Sequence, residues 1–148
     1  MFRSMLLTLA AGLSLASVAA AQSVPHKESS QGQLTNVTAT QMDWAAAGRG
    51  THIGNYTEVG SHLYFPDGTL YGVFTVTAVD GSTISGTYDG FYFPLGDGTF
   101  QFQVQVYWLA GTGRLTGVTG AGNANATLNG LTGEVEVEAQ GLWNLPSR

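Results

Sequence analysis

The tightest constraint on this chain lies in residues 99–122, TFQFQVQVYW followed by LAGTGRLTGVTGAG. In the first half, Phe100, Phe102, Val104, Val106 and Trp108 alternate with Thr99, Gln101, Gln103, Gln105 and Tyr107. Successive side chains of a strand point to opposite faces, so a period of two sorts the first set onto an apolar face and the second onto a more polar one. The second half carries glycines at 111, 113, 117, 120 and 122 and reads as an irregular connection. The feature constrains architecture and says nothing of a reaction.

Further strands are expected over 33–41, 51–65, 70–79, 83–93, 119–128 and 133–141. In 70–79, Leu70, Phe74, Val76 and Ala78 share a face; in 133–141, Val135, Val137 and Ala139 oppose Glu134, Glu136 and Glu138. Gly54 and Gly60 predict a bulge, a bend or a division of 51–65. Residues 42–50, MDWAAAGRG, read as a connection with at most one helical turn. Turn chemistry punctuates the rest: Pro66-Asp67-Gly68, Asp80-Gly81, the PLGDG of 94–98 and Asn129-Gly130. Tyr64-Phe65-Pro66-Asp67-Gly68-Thr69 and Tyr92-Phe93-Pro94 with Asp97-Gly98-Thr99 repeat one turn design. Hairpins at this spacing predict an all-β chain, a single antiparallel up-and-down β-barrel of about eight strands, with a β-sandwich as the alternative. Closure removes exposed strand edges. An outer-membrane barrel needs an apolar outer face, and this chain ends in Pro146-Ser147-Arg148 rather than an aromatic-capped strand.

Residues 1–21 read as a signal peptide: Arg3, an apolar run, then Ala19-Ala20-Ala21 at the cleavage position. The protein is accordingly expected to be secreted or periplasmic, with no transmembrane segment once the leader is removed. Residues 22–32 are polar, contain Pro25 and lack periodicity, and so read as a disordered lead in which His26 and Lys27 are solvated. The barrel domain then spans 33–148. There is no cysteine, which excludes disulfides and thiol chemistry. Ten acidic residues face five basic ones, a formal charge of −5, and loss of Arg3 makes the chain more acidic still. That balance offers no electrostatic footprint for nucleic acid.

No catalytic constellation emerges. Three scattered histidines make no metal site, so no metal and no cofactor are expected. Gly111-Thr112-Gly113-Arg114 is followed by neither a helix nor Gly-Lys-Ser/Thr, which rules out a phosphate loop. With 42–50 taken as a connection, the alternating turns of a meander place Trp44, Trp108 and Trp143 at one barrel end with Asp43, Arg49, His52, Asp80 and Arg114. The aromatics 64–65 and 91–93 then rim the other end. One reading has the tryptophans plugging the barrel. The other has an aromatic, cationic mouth that grips a small anion or planar ring. Asp89, mid-strand beside Tyr88, is a carboxylate of interest if it faces inward. The candidate ligand-binding residues are therefore Arg49, His52, Tyr88, Asp89, Trp108 and Arg114.

The run Ala110-Gly111-Thr112-Gly113-Arg114-Leu115-Thr116-Gly117-Val118-Thr119-Gly120-Ala121-Gly122 resembles the glycine-rich segment of exported β-barrel proteins related to allene oxide cyclase and dirigent proteins. Gly50-Thr51-His52-Ile53-Gly54 is similar to the opening strand of their bacterial relatives, and the resemblance spans residues 33–143. It implies an eight-stranded barrel with an apolar cavity. Characterised relatives cyclise a lipid-derived epoxide or steer the coupling of phenoxy radicals, in both cases by holding a reactive molecule in one geometry. No catalytic residue carries over. The expectation is a barrel that binds a small apolar or aromatic molecule in its interior. The alternatives are an isomerase or cyclase using the same cavity, and a structural or adhesive exported protein with a solid core. An interior filled by Phe74, Phe100, Phe102 and their neighbours, with no void above roughly 300 Å³, is the outcome that counts against ligand binding. Nothing in the sequence identifies an oligomeric state.

Overall fold

In the computed structural model, which describes residues 21–147, the chain forms eight strands: β1 (Gln22–Val37), β2 (Gln41–Gly50), β3 (Gly54–Tyr64), β4 (Thr69–Ala78), β5 (Thr83–Pro94), β6 (Thr99–Gly111), β7 (Thr119–Asn129) and β8 (Glu134–Leu145). Each pairs antiparallel with its neighbour in sequence, and β1 also pairs with β8 from Gln22↔Leu145 to Gln33↔Glu134. The sheet is therefore a closed up-and-down barrel, not a sandwich, and no strand edge is left open. Apart from Ala21, the leader expected at 1–21 lies outside the described residues. No described helix is long and apolar enough to cross a membrane.

The alternation in 99–108 is realised as expected. Phe102, Val106 and Trp108 are buried inside, while Gln103 and Gln105 are exposed. Burial of such side chains contributes about 2 kcal/mol each before chain entropy is subtracted. Leu70, Phe74, Val76 and Ala78 of β4 and Val135 and Ala139 of β8 also point inward. The repeated turn design is real. In the β3–β4 turn, Phe65 N–H bonds to Thr69 O and Asp67 Oδ1 accepts from Thr69 N–H; in the β5–β6 turn, Leu95 N–H bonds to Thr99 O and Asp97 Oδ1 accepts from Thr99 N–H. Gly68 and Gly98 both take φ of +86°, which a side chain disfavours.

Three expectations are corrected. Residues 22–32 are not a disordered lead; they form most of β1, the strand that closes the barrel. Its inward residues include His26, Glu28 and Ser30, so both faces are polar and no apolar alternation marks it. His26 is not solvated but 1% exposed. Residues 42–50 are not a connection but nearly all of β2, whose inward Met42, Trp44 and Ala46 alternate with Asp43, Ala45 and Ala47, so that the run of three alanines carries helix propensity rather than a strand signal. Gly60 neither bulges nor divides its strand: β3 pairs without interruption on both sides.

These corrections move the ends of the barrel. The turns at 38–40, 65–68, 95–98 and 130–133 lie at one end; those at 51–53, 79–82 and 112–118 lie at the other, with both described chain ends. Trp44 and Asp43 belong to the body of β2, not to the second end. Trp44 points inward, whereas the Asp43 carboxylate bonds to Ser61, Gln41 and Asn36 side chains, Ser61 foremost, which hold its pKa below the usual carboxylate value.

Candidate functional site

The space inside the barrel is shaped by glycines facing large rings. A Cβ at Gly60 would lie 2.4 Å from the Trp44 indole, one at Gly72 would lie 2.3 Å from the Tyr88 ring, and one at Gly86 would lie 2.8 Å from Phe74. Each ring sits against bare backbone of an adjoining strand. Around them is a cavity of about 60 Å³. Its walls are mostly apolar, with Met42, Phe74, Phe102, Val104, Val106, Leu128 and Val135 among them, and its polar members are Glu28, Trp44, Glu58, His62 and Tyr88. The volume falls well short of the roughly 300 Å³ named above, an outcome that counts against the expectation of an interior ligand site and draws toward a solidly packed core. Inward Tyr64 and Tyr92, packed edge-on at 5.1 Å, narrow the barrel toward the 65–68 turn.

Two polar groupings face this space. In the first, Trp44 Nε1–H donates to Tyr88 Oη at 3.1 Å, and Tyr88 Oη lies 2.8 Å from His62 Nδ1. Burial pushes His62 down to about 4, only partly offset by the charge of Asp43. Burial raises the Tyr88 phenol, so it keeps its proton. In the second grouping, β1 and β3 meet across β2. Gly48 and Gly50 of β2 carry no side chain into the barrel, so β1 groups reach across them: Ser30 Oγ–H donates to Glu58 Oε2 at 3.2 Å. A Cβ at Gly50 would lie 3.1 Å from Glu28 Cβ. Glu28 Oε2 in turn lies 3.0 Å from His26 Nε2. Burial, then the nearby Glu28 carboxylate, raises Glu58 well above the ordinary carboxylate range, with the Ser30 bond opposing. Burial thus favours the protonated form of Glu58.

Below this band the barrel is plugged. The His26 ring stacks on Trp143 at 3.8 Å and meets Trp108 edge-on at 5.3 Å. Both tryptophans are fully buried.

The six residues named from the sequence do not all meet in one place: Arg49, His52 and Arg114 line a common open pocket beside the 51–53 turn. Tyr88 alone lines the cavity. Trp108 is part of the plug. His52 is exposed in the 51–53 turn at φ +75°, stacked 6.1 Å from His26. Arg49 and Asp89 are exposed on the outer faces of β2 and β5. Arg114 ties down its own end of the barrel: its Nε donates to Asp80 Oδ2 at 2.7 Å, Nη1 to His52 O at 2.6 Å, and Nη2 to Ile53 O. The interior groups that sequence reasoning missed are Glu28, Glu58 and His62. For the last two a signal existed, since Tyr56, Glu58, Gly60, His62 and Tyr64 share one parity on β3. An alternation containing Glu and His is not apolar, and it passed unread.

No protein-family model matches the sequence, and no curated protein matches it. Among solved structures the chain is similar to the pterocarpan synthase dirigent protein PsPTS1, with a TM-score of 0.55 and 14% identity over 88% of this chain and 99% of that one. At that identity the likeness concerns the fold, and the fold is a dirigent-like eight-stranded barrel.

Proposed function

We propose that this is an exported barrel that holds a small apolar or aromatic molecule in its interior. The observation that carries the reading is the cavity itself, a space inside the barrel walled mostly by apolar side chains with its few polar groups on β1, β2, β3 and β5. Binding sites commonly combine an apolar wall with a few placed polar groups. The likeness to a dirigent protein supports the same reading, because the name of that neighbour describes a synthase built on this fold. The volume limits the ligand to a few heavy atoms unless the tyrosine-lined end opens. Native mass spectrometry of the protein exported by its own host is the test. Retention of a small molecule supports the reading, and a bare mass under conditions that keep the barrel folded counts against it.

A second reading, an isomerase- or cyclase-like enzyme using the same cavity, is favoured by one observation. Glu58, held protonated, shares the space with Glu28 and Tyr88, which places a proton donor beside a second carboxyl group. The third reading, a structural protein with a solid core, draws on the small size of the void. An empty cavity in the native mass spectrum favours it.

A further inference from the structure

The described residues hold three lysine or arginine side chains, Lys27, Arg49 and Arg114, against ten carboxylates. All three cations line one open pocket of about 920 Å³ on the outside of the barrel, beside the 51–53 turn, whereas of the carboxylate residues only Glu28 and Glu138 do. The Glu28 side chain turns away into the barrel, to His26.

Two rows of exposed side chains build the floor. Asn123, Gln140 and Lys27 stand opposite one another across β7, β8 and β1; Asn125, Glu138, Ser29 and Arg49 do so across β7, β8, β1 and β2. Lys27 and Arg49 are therefore diagonal neighbours on adjoining strands, a spacing that long side chains bridge. The residue opposite Arg49 on β1 is Ser29, not a carboxylate, and neither cation is in an ion pair among the described residues. Like charges so placed repel, and an anion between them relieves it. The wall is fixed in advance. Thr51 N–H donates to Lys27 O at 2.8 Å, Lys27 N–H donates to Thr51 Oγ1 at 2.8 Å, and His52 Nε2 lies 3.0 Å from Pro25 O. Arg114 is committed to that turn through the carbonyls of His52 and Ile53, which leaves Lys27 and Arg49 as the cations available to a ligand. We propose that this pocket binds a small sugar acid, its carboxylate between the Lys27 ammonium and the Arg49 guanidinium and its hydroxylated body over Asn123, Asn125 and Gln140. Side-chain amides both donate and accept, as hydroxyls require. Glu138 accepts from a hydroxyl and repels a ligand that carries further negative charge. Such a site is independent of the interior-binding reading.

The test titrates the intact ¹⁵N-labelled protein with sodium glucuronate, glucose and sodium acetate, following backbone amide resonances. Glucuronate is expected to shift those of Lys27, Arg49, Gly54, Asn123 and Gln140 and to leave those of Phe102 and Val106, inside the barrel, in place. It is expected to bind about tenfold tighter than glucose, which lacks the charge, and than acetate, which lacks the body, the difference one charge-assisted hydrogen bond makes. Added sodium chloride is expected to weaken it. Lys27→Gln and Arg49→Gln are each expected to lower the affinity about tenfold with thermal midpoints close to that of the unsubstituted protein, because both side chains are exposed. Glucuronate that moves no resonance of the pocket overturns the proposal. Glucose or acetate bound as tightly as glucuronate overturns it as a sugar-acid site, and so does a glucuronate affinity unchanged in both variants.

Discussion

Trp44 and Gly60 share one volume: two carbons of the indole occupy positions 2.4 Å from where a Cβ on Gly60 would stand. The two residues are directly opposite on β2 and β3. The bare backbone of one strand is thus the seat for the largest side chain of the next. The Tyr88 ring uses Gly72 of β4 in the same way.

Gly60→Ala therefore forces a buried, hydrogen-bonded indole to move. Overpacking of this kind costs about 1–3 kcal/mol. The expected outcome is a urea midpoint lowered in proportion, with Gly72→Ala behaving alike. An unchanged midpoint for both shows that the rings relax freely, and it removes the glycine seats from the account of the cavity.

Removal of residues 22–31 takes away ten of the sixteen residues of β1 and exposes the edge of β2 over Ala47–Gly50 and of β8 over Glu136–Leu145. The shortened chain is expected to lose its cooperative thermal transition and to aggregate. Melting like the full chain is the outcome expected of a disordered lead and contradicts β1 as the closing strand.

The guanidinium of Arg114 joins the 112–118 connection to the 51–53 and 79–82 turns through Asp80 and the carbonyls of His52 and Ile53. The ion pair is about half exposed and contributes little by itself. The carbonyl bonds matter more, because removing them leaves part of the 51–53 turn unsatisfied. Arg114→Ala is expected to cost about 1–2 kcal/mol and to speed amide exchange around Ile53 and Arg114. Arg114→Lys restores it only in part, since an ammonium lacks the planar fork. Cavity binding is expected to be unchanged.

Glu58 and His62 pull the pH dependence of stability in opposite directions. A carboxyl whose folded pKa is raised costs nothing below its unfolded value of 4.5, and the cost grows as the pH rises past it, because the unfolded chain ionises first. The advantage of Glu58→Gln over the unsubstituted protein is therefore expected to widen with pH above 4.5. His62, pushed down to about 4 from 6.5, contributes stability that is complete above 6.5 and is lost as the pH falls toward 4. His62→Phe removes that slope. Denaturant midpoints from pH 4 to 8 for the three proteins check both signs, and a Glu58→Gln difference that is flat with pH contradicts a protonated Glu58.

Much of the fold was legible because the strands from β4 to β8 have one apolar and one polar face. In β6, Gln101, Gln103 and Gln105 alternate with Phe100, Phe102, Val104 and Val106, and the Asp-Gly and Pro-Asp-Gly signals mark turns by local chemistry alone. β2 and β1 before residue 33 were not legible: the inward positions of β1 include His26, Glu28 and Ser30, and those of β2 beyond Trp44 are Ala46 and Gly48. Periodicity in hydropathy cannot mark a strand whose buried face is polar or small. The site suffered for the same reason. Tyr88 was named for its neighbour Asp89, which points outward, while Glu28, Glu58 and His62 were passed over.

The sequence by itself determined that the chain is all-β, that its strands follow one another as hairpins, and where most turns fall, since these depend on residue type and near neighbours. Its glycine-rich run was legible as an irregular connection between two strands. Only the tertiary structure decided what meets inside. Strand register brings Trp44, His62 and Tyr88 from three strands into one hydrogen-bonded chain, and the glycines of β2 let Ser30 of β1 reach Glu58 of β3. Those groups lie 26 to 44 residues apart, and barrel closure, a property of the whole sheet, is what places them around one space.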